Sequence, residues 1–334
     1  MKSLLSILVV VATLIAIWYV ACIPMNMLEA AIQADRAGQE VTPTSAPERR
    51  KMGRLALTFK NPSLWSEVFE QERPQLPAPH QVGRELWKTT FAMKPRLKGP
   101  KPEGFDDRSS LYKKAYAVYA TFATEAKRSL IYHSRITLSA TLLGFAFGTL
   151  LGIILAVSIV YSRAMDMSVM PWIIASQTVP ILAIAPMIVV VLSALNVDDI
   201  IAKGVISMYL SFFPVVVGMV KGLRSPGRMQ LDQMMTWNAS RAATFWKLRL
   251  PSSMPYLFAS LKVGVAASLI GAVVAELSLS QNGGLGARLL AGSYYGQTVQ
   301  IWSALLAAAA LAALLVWSIG AVQNITLKRM GFAR

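Results

Sequence analysis

The residue types that usually carry catalysis are sparse in this sequence and do not cluster. The two histidines, His80 and His133, stand apart from other metal-ligating residues, and the single cysteine, Cys22, excludes an internal disulfide. No phosphate-binding loop of the Gly-x-x-x-x-Gly-Lys-Ser/Thr type occurs, so we expect that this chain does not bind ATP in that manner. The sequence therefore predicts no catalytic residues, no metal site and no cofactor bound by this chain.

Polar residues inside long apolar runs are better candidates, and the chemistry they suggest is the passage of a solute. Gln177, Thr178 and Pro180 interrupt one run, where a proline leaves backbone carbonyls free and polar side chains need a neighbour or a water-filled cavity. Glu276 and Lys262 lie in another run, and such ionisable groups should face protein or water. We predict that Gln177, Thr178, Pro180 and Glu276 belong to a translocation path. Structural kinking is the alternative for the first three, and simple solvation near the external end of the run is the alternative for Glu276.

A polar segment between two apolar runs, residues 232–251, is patterned as two short helices and is called the knob below. Asn238 joins the two, because Asn tolerates the left-handed backbone region that a sharp turn requires. Ser240 is the predicted N-cap of the second helix, and Pro251 marks where that helix stops or bends. The predicted contact residues of the knob are Trp237, Ala239, Ala242 and Phe245 as apolar groups and Asp232 and Arg241 as polar groups.

The knob resembles a signature of the permease subunits of bacterial ABC importers. That signature runs Glu-Ala-Ala, three residues, Gly, a spacer and a terminal Leu-Pro. Residues 250–251 match the Leu-Pro, Asp232 stands at the Glu position, Asn238 at the Gly position, and residues 233–234 are Gln-Met where the family has Ala-Ala. Residues 273–286 are similar to the nitrate, taurine and sulfonate branch of these permeases.

The resemblance implies a type I ABC importer permease in which the knob is the coupling helix that inserts into an ATPase. Its implied partners are two ABC ATPase subunits that bind ATP and Mg, a second permease copy or paralogue, and a periplasmic or lipid-anchored substrate-binding protein. The implied solute is nitrate, a sulfonate such as taurine, or a small heterocyclic vitamin precursor. On this interpretation the chain is a transport subunit and not an enzyme.

Composition points to the membrane independently of the resemblance. Hydrophobic residues make up 54% of the chain and charged residues only 15%, which is more apolar material than one soluble core would use. The net charge of +16 fits the basic excess that membrane proteins place in cytoplasmic loops, and no nucleic-acid-binding motif accompanies it. We therefore predict an all-α, polytopic membrane protein that contacts lipid and not nucleic acid.

Six apolar runs predict six transmembrane helices. The first, in residues 1–22, has no charge from Leu4 to Cys22; a cleaved signal peptide or a lipoprotein signal is the alternative. The other five form a predicted permease core of residues 136–334, with runs near 136–161, 169–194, 199–220, 253–279 and 298–323. Gly144, Gly148 and Gly152 recur every fourth residue in one run, which predicts close packing against another helix.

Residues 23–135 form a predicted extracytoplasmic insert, since they contain 19 basic and 12 acidic residues and no run long enough to span a bilayer. Amphipathic helices are predicted to begin at Asn61–Pro62 and to cover 82–91, and Lys94–Gly104 is a Pro-, Gly- and Lys-rich connector. Aromatic residues at helical spacing in 112–122 predict an interfacial helix on the membrane, with packing against a neighbouring helix as the alternative.

The distribution of positive charge predicts the topology. Lys and Arg concentrate in the 221–251 loop and near the C-terminus, which places that loop and both termini in the cytoplasm. The resemblance implies that the spans lie in the inner membrane of a bacterium. Two other functions remain open at this point. A stand-alone secondary transporter or channel would show inverted repeats or paired intramembrane charges, and a membrane-embedded enzyme would show a catalytic cluster at one depth.

Overall fold

The computed structural model of the chain describes residues 2–92 and 110–332; the predicted connector Lys94–Gly104 lies outside these residues. All regular secondary structure within the described residues is helical, which confirms the predicted all-α class. Five of the helices are long and apolar enough to cross a membrane, and a bent pair of shorter helices supplies a sixth span. The prediction of about six transmembrane helices is therefore confirmed.

The α-helices are numbered here in chain order. They are α1 Lys2–Arg36, α2 Ala46–Lys51, α3 Arg54–Lys60, α4 Pro79–Thr90, α5 Ser110–Phe122, α6 Leu130–Tyr161, α7 Arg163–Ser176, α8 Ile181–Ala194, α9 Asp199–Leu223, α10 Arg228–Thr236, α11 Arg241–Thr244, α12 Leu250–Ser278, α13 Leu285–Tyr294 and α14 Thr298–Arg329. A π-helical turn, Phe245–Arg249, joins α11 to α12. The chain divides into two compact units, Met1–Leu130 with Arg288–Leu306, and Ile131–Ala287 with Ala307–Arg334.

In the first unit, α1 extends well beyond the apolar run that predicts it. The run ends at Cys22, but the helix continues to Arg36. Its last turns carry small buried residues, among them Ala30 and Ala34, that pack against Leu57 and other apolar residues of the insert. The helix does not end at Cys22. Large apolar side chains are exposed before this residue, whereas small alanine side chains are buried after it.

The rest of the insert is built from short helices. The helix predicted to begin at Asn61–Pro62 is two 3-10 turns, Pro62–Trp65 and Glu67–Phe69, which still bury Leu64 and Val68. A 3-10 turn is tighter than an α-turn and is normally used in such short pieces. The helices predicted over 82–91 and 112–122 are present as α4 and α5.

In the second unit, the glycines of α6 set a close approach to α9. A Cβ added at Gly152 would lie 2.8 Å from the Cβ of Val215, and Cβ atoms added at Gly144 and Gly148 would overlap side chains of α9. The hydroxyl of Ser211 donates to the carbonyl of Gly144 at 3.2 Å. Small residues that let two backbones meet are the usual basis of helix association in lipid, and the predicted packing role of this glycine series is confirmed.

Candidate functional site

The apolar run 169–194, predicted as one span, forms two helices. The axes of α7 and α8 differ by 99° across a four-residue break. Pro180 precedes α8 and explains the break, because proline cannot donate a backbone hydrogen bond and disfavours helical backbone at the residue before it. Gln177 and Thr178 lie in the same break, so the structure brings together three of the four residues predicted for the path.

Polar groups at the break make hydrogen bonds within the chain. The hydroxyl of Thr178 donates to the carbonyl of Ala175 at 2.8 Å, and the hydroxyl of Tyr209 on α9 donates to the carbonyl of Ser176. The side chain of Thr178 is exposed in the single chain. Discontinuous helices place free backbone groups at membrane depth, and transporters use such breaks to bind solutes and ions. Tyr209 was not predicted for this site, because it belongs to a different apolar run.

The knob has the predicted turn. The backbone of Asn238 has a φ of 49°, and its N–H donates to the carbonyl of Met235 at 2.8 Å. The next N–H, of Ala239, donates to the carbonyl of Met234 at 2.9 Å. Both bonds satisfy carbonyls at the end of α10, as left-handed C-terminal turns do. The predicted role of Asn238 as the turning residue is confirmed.

The second helix of the knob begins as predicted but does not end at Pro251. The hydroxyl of Ser240 accepts a hydrogen bond from the N–H of Ala243 at 3.2 Å and caps α11. The chain then passes through the π-helical turn into α12, so that Arg241–Ser278 is one helix of 38 residues. Pro251 lies in the first turn of α12, where a missing N–H is tolerated. The second helix of the knob is therefore continuous with a helix long and apolar enough to cross a membrane.

The surface of the knob is apolar and exposed at several points. Trp237 is 67% exposed, and Met235 and Trp246 are exposed to a similar degree. Of the other predicted contact residues, Asp232, Arg241 and Ala242 are exposed and Ala239 is half-buried. Phe245 differs from these, because its ring packs edge-on against Tyr161 at 6.0 Å and joins the core around α6 and α9.

A second cluster of polar residues lies around the loop 279–286, which follows α12. We call this loop, together with the side chains of Thr137, His133, Lys203 and Glu276 that bind it, the glycine clasp. Glu276 of α12 is fully buried, so its predicted alternative of simple solvation is wrong. One carboxylate oxygen accepts from the N–H of Gly286 at 2.9 Å, and the other accepts from the hydroxyl of Thr137 on α6 at 2.8 Å. The hydroxyl oxygen of Thr137 also accepts from the N–H of Leu285 at 2.9 Å.

Two more side chains bind the same loop. Nδ1 of His133 on α6 accepts from the N–H of Gly284 at 2.9 Å, and Nζ of Lys203 on α9 donates to the carbonyl of Gly283 at 3.2 Å. Lys203 is only 2% exposed. Side chains from α6, α9 and α12 therefore converge on consecutive backbone groups of one loop. This arrangement holds three spans together at one point, and it satisfies polar groups that would otherwise be buried without partners.

The loop needs glycine for two separate reasons. Gly284 has a φ of 120°, a backbone conformation that side-chain-bearing residues rarely adopt. A Cβ added at Gly284 would also overlap the carboxylate of Glu276. The approach of a buried carboxylate to the backbone thus explains Gly284, and Gly286 is needed because a Cβ there would overlap the carbonyl oxygen of Val273.

Sequence reasoning missed most of the clasp. His133, Thr137 and Lys203 lie far from Glu276 in the sequence, and only a fold can bring them together. Lys203 carried a usable signal, because it is an ionisable residue inside an apolar run, as Glu276 and Lys262 are. Lys262 itself lies apart from the clasp; its ammonium is 3.6 Å from the position that a Cβ on Gly320 would occupy.

The sequence of this chain matches a known protein family. A sequence model of the family described as "Binding-protein-dependent transport system inner membrane component" matches residues 148–332. The matched range contains the bent pair, the knob and the loop of the glycine clasp. It does not contain the insert predicted at 23–135.

Individual relatives are transport permeases. The formylaminopyrimidine transport permease protein ThiX of Halalkalibacterium halodurans is 32% identical over 46% of this chain and 60% of that protein. A probable ABC transporter permease protein of Haemophilus influenzae is 31% identical over 56% of this chain and 74% of that protein. The nitrate import permease protein NrtB of Synechocystis is 26% identical over 45% of this chain and 52% of that protein. The chain thus spans between about half and three quarters of these relatives' lengths.

Proposed function

This chain belongs to the family of binding-protein-dependent transport system inner membrane components, and on that premise we propose that it is the membrane-spanning subunit of an ATP-driven ABC importer. The observation that carries the proposal beyond the family is the single helix Arg241–Ser278, which connects the exposed knob to the buried glycine clasp. In this proposal a partner ATPase binds ATP and Mg, while this chain forms part of the solute path and responds to the partner's movement.

The proposed orientation follows from charge. Basic residues lie beside and within the knob, among them Arg224, Arg228 and Arg249, so we place the knob in the cytoplasm by the positive-inside rule. Both termini then also lie in the cytoplasm of a bacterial cell, and the insert 23–135 lies outside the inner membrane. An insert on that side is positioned to meet a periplasmic or lipid-anchored substrate-binding protein.

The exposed surface of the knob supports an ATPase as its partner. Trp237, Met235 and Trp246 are large apolar side chains in water, and such residues usually become buried contacts in an interface. Asp232, Arg241 and Ala242 share this surface in the proposal. Phe245 instead anchors the knob to the permease core through Tyr161. Two ATPases and a second permease, identical or paralogous, complete the proposed assembly.

The bent pair supplies the proposed solute path. Gln177, Thr178 and Pro180 stand at a helix break, and transporters bind polar solutes at breaks of this kind. Glu276 has a different proposed role, because its oxygens are occupied within the clasp. We assign it to holding or releasing the external ends of the spans during gating.

Among possible solutes, we favour a small nitrogen heterocycle over nitrate or a sulfonate. The relative named for formylaminopyrimidine is 32% identical to this chain, whereas the relative named for nitrate is 26% identical. A binding protein usually selects the solute, so the compound bound to the purified cognate binding protein tests this choice. Recovery of nitrate or an alkanesulfonate would refute it.

The test of the importer function uses Ala242→Glu in the complete complex. Placing a charge in a packed interface without a partner costs several kcal/mol, about 3 to 5. We therefore expect substrate-stimulated ATP hydrolysis to fall at least tenfold while the chain remains inserted and folded. Ala242→Ser is the matched control and should keep the parent rate. The importer proposal fails if Ala242→Glu retains full stimulation, or if the chain alone transports solute in liposomes without an ATPase.

A further inference from the structure

A cavity of about 520 Å³ in the first unit is lined largely by charged and amide side chains. Its lining residues come from α4, from the segment before α6, from α13 and the turn after it, and from the start of α14, and they are Glu85, Lys88, Thr89, Arg128, Arg288, Ala291, Tyr295, Gln297 and Gln300. Three cations and one carboxylate leave two uncompensated positive charges around the cavity. Its volume is within the range of small-molecule sites. The residues of the bent pair and the knob take no part in it.

Arg288 is the central residue of this cavity. Its side chain is 4% exposed, and one terminal nitrogen donates to the carbonyl of Arg128 at 2.9 Å. The other terminal nitrogen lies 3.6 Å from the carboxylate of Glu85, which is longer than the roughly 2.7–2.9 Å of a charge-assisted hydrogen bond. Nε is buried and has no hydrogen-bond partner among the described residues. The guanidinium is therefore only partly satisfied by the protein.

Burial of this kind is costly unless an anion is present. Burial lowers the pKa of the Arg288 guanidinium, an effect that Glu85 opposes and Arg128 reinforces. Arginine nevertheless keeps its proton at neutral pH, so it cannot relieve the cost by becoming neutral. Glu85 is the one carboxylate that lines the cavity, and its single negative charge faces three cations. An additional anion would reduce this imbalance.

We propose that this cavity binds a small oxyanion group, a carboxylate or a phosphate, through Arg288 with Lys88 and Arg128. The planar fork of Arg288 matches the paired oxygens of either group. The amides of Gln297 and Gln300 line the same cavity and supply neutral donors that suit an oxyanion. The proposed binding site shares no lining residue with the proposed solute path, and binding there requires no ATPase.

The experiment uses the full chain in lipid nanodiscs, without any partner. Sodium phosphate and sodium acetate are titrated against sodium chloride at constant ionic strength, and binding is followed by calorimetry and by the thermal midpoint. We expect saturable binding of phosphate or acetate and none of chloride. The proposal is overturned if neither phosphate nor acetate shows saturable binding beyond that of chloride.

Variants separate a binding site from a structural role. Arg288→Gln should weaken oxyanion binding at least tenfold, and Lys88→Gln, which changes an exposed residue and leaves the fold intact, should weaken it about threefold. Glu85→Gln should tighten binding about threefold, because it removes the carboxylate that competes for Arg288. Arg84→Gln, an exposed change on the same helix outside the cavity lining, is the control and should have no effect. The proposal is overturned if Glu85→Gln does not tighten binding, or if Arg84→Gln weakens it as much as Lys88→Gln does.

Discussion

The knob and the glycine clasp both lie between membrane-spanning helices of the same unit, but they differ in which side chains they bury. The knob exposes Trp237 and Trp246, although burial of such side chains would be favourable. The clasp buries Glu276 and Lys203, although burial of charge is unfavourable, and binds each of them within the chain. The charged groups of the clasp thus find their partners within one chain, whereas in the proposed function the apolar surface of the knob is covered by an ATPase. Clasp variants should then change stability, and knob variants should mainly change assembly.

The largest effect is expected from Gly284→Ala. The new Cβ would overlap the Glu276 carboxylate in a backbone conformation that is restricted to glycine, so the free energy of unfolding should fall by about 4 kcal/mol or more. Titration of the reconstituted chain with SDS measures this change. Gly296→Ala is the control, because Gly296 also has a positive φ, 63°, but a Cβ there meets nothing within 4 Å. Its cost should be only about 1 kcal/mol, and equal costs would refute the role of the carboxylate contact.

Replacement of Glu276 by Gln should have the next largest effect. The NH2 group of the new glutamine would point a hydrogen-bond donor at another donor, either the Gly286 N–H or the Thr137 hydroxyl. The Lys203 ammonium would also lose the carboxylate that attracts it. We expect a loss of about 3 kcal/mol in the free energy of unfolding. The double variant Glu276→Gln/Lys203→Met should lose less than the sum of the two single losses, because it removes the stranded cation. Additive losses would show that the two groups do not interact.

Neighbouring aromatic residues allow the comparison to be made within the knob itself. Phe245 packs on Tyr161, so Phe245→Ala should lower the free energy of unfolding by about 2 kcal/mol, less than a fully buried ring would. Trp246 is 65% exposed, so Trp246→Ala should leave stability within about 0.5 kcal/mol but weaken retention of the ATPase on a pull-down. The reverse pattern would mean that the knob surface has been assigned to the wrong face.

Local features of the knob were predictable from the sequence, because short-range rules determine them. Asn238 turns the chain and Ser240 caps the following helix, as the residue types alone indicate. The sequence could not show that the second helix runs on through Pro251, since the π-helical turn depends on how α12 packs. The sequence also could not show that Phe245 faces the core, because that depends on the position of Tyr161 on another helix.

The clasp and the bent pair were predictable only in part. Glu276 was recognisable as an ionisable group in an apolar run, but its partners come from helices that begin about 75 and 145 residues earlier in the chain. At the bent pair, Pro180 was a visible helix breaker, yet Pro171, Pro186 and Pro214 lie inside helices that continue through them. A proline disrupts a helix only where neighbouring groups do not replace its missing hydrogen bond, and that information is tertiary.

The smallest effect is expected at the turn of the knob. Asn238 adopts a φ of 49°, which glycine reaches without cost and alanine reaches at about 1 kcal/mol. Asn238→Gly should therefore keep both the thermal midpoint and the substrate-stimulated ATP hydrolysis of the complete complex within error. Asn238→Ala should lower the midpoint slightly and leave hydrolysis largely intact, because the helices on both sides of the turn are retained. Asn238→Pro cannot adopt a positive φ, so it should displace α10 from α11 and abolish stimulation while the glycine clasp still folds. If Asn238→Pro keeps full stimulation, the geometry of the knob does not matter for coupling. The proposal that the knob acts on a partner ATPase would then be refuted, and only the structural contrast with the clasp would remain.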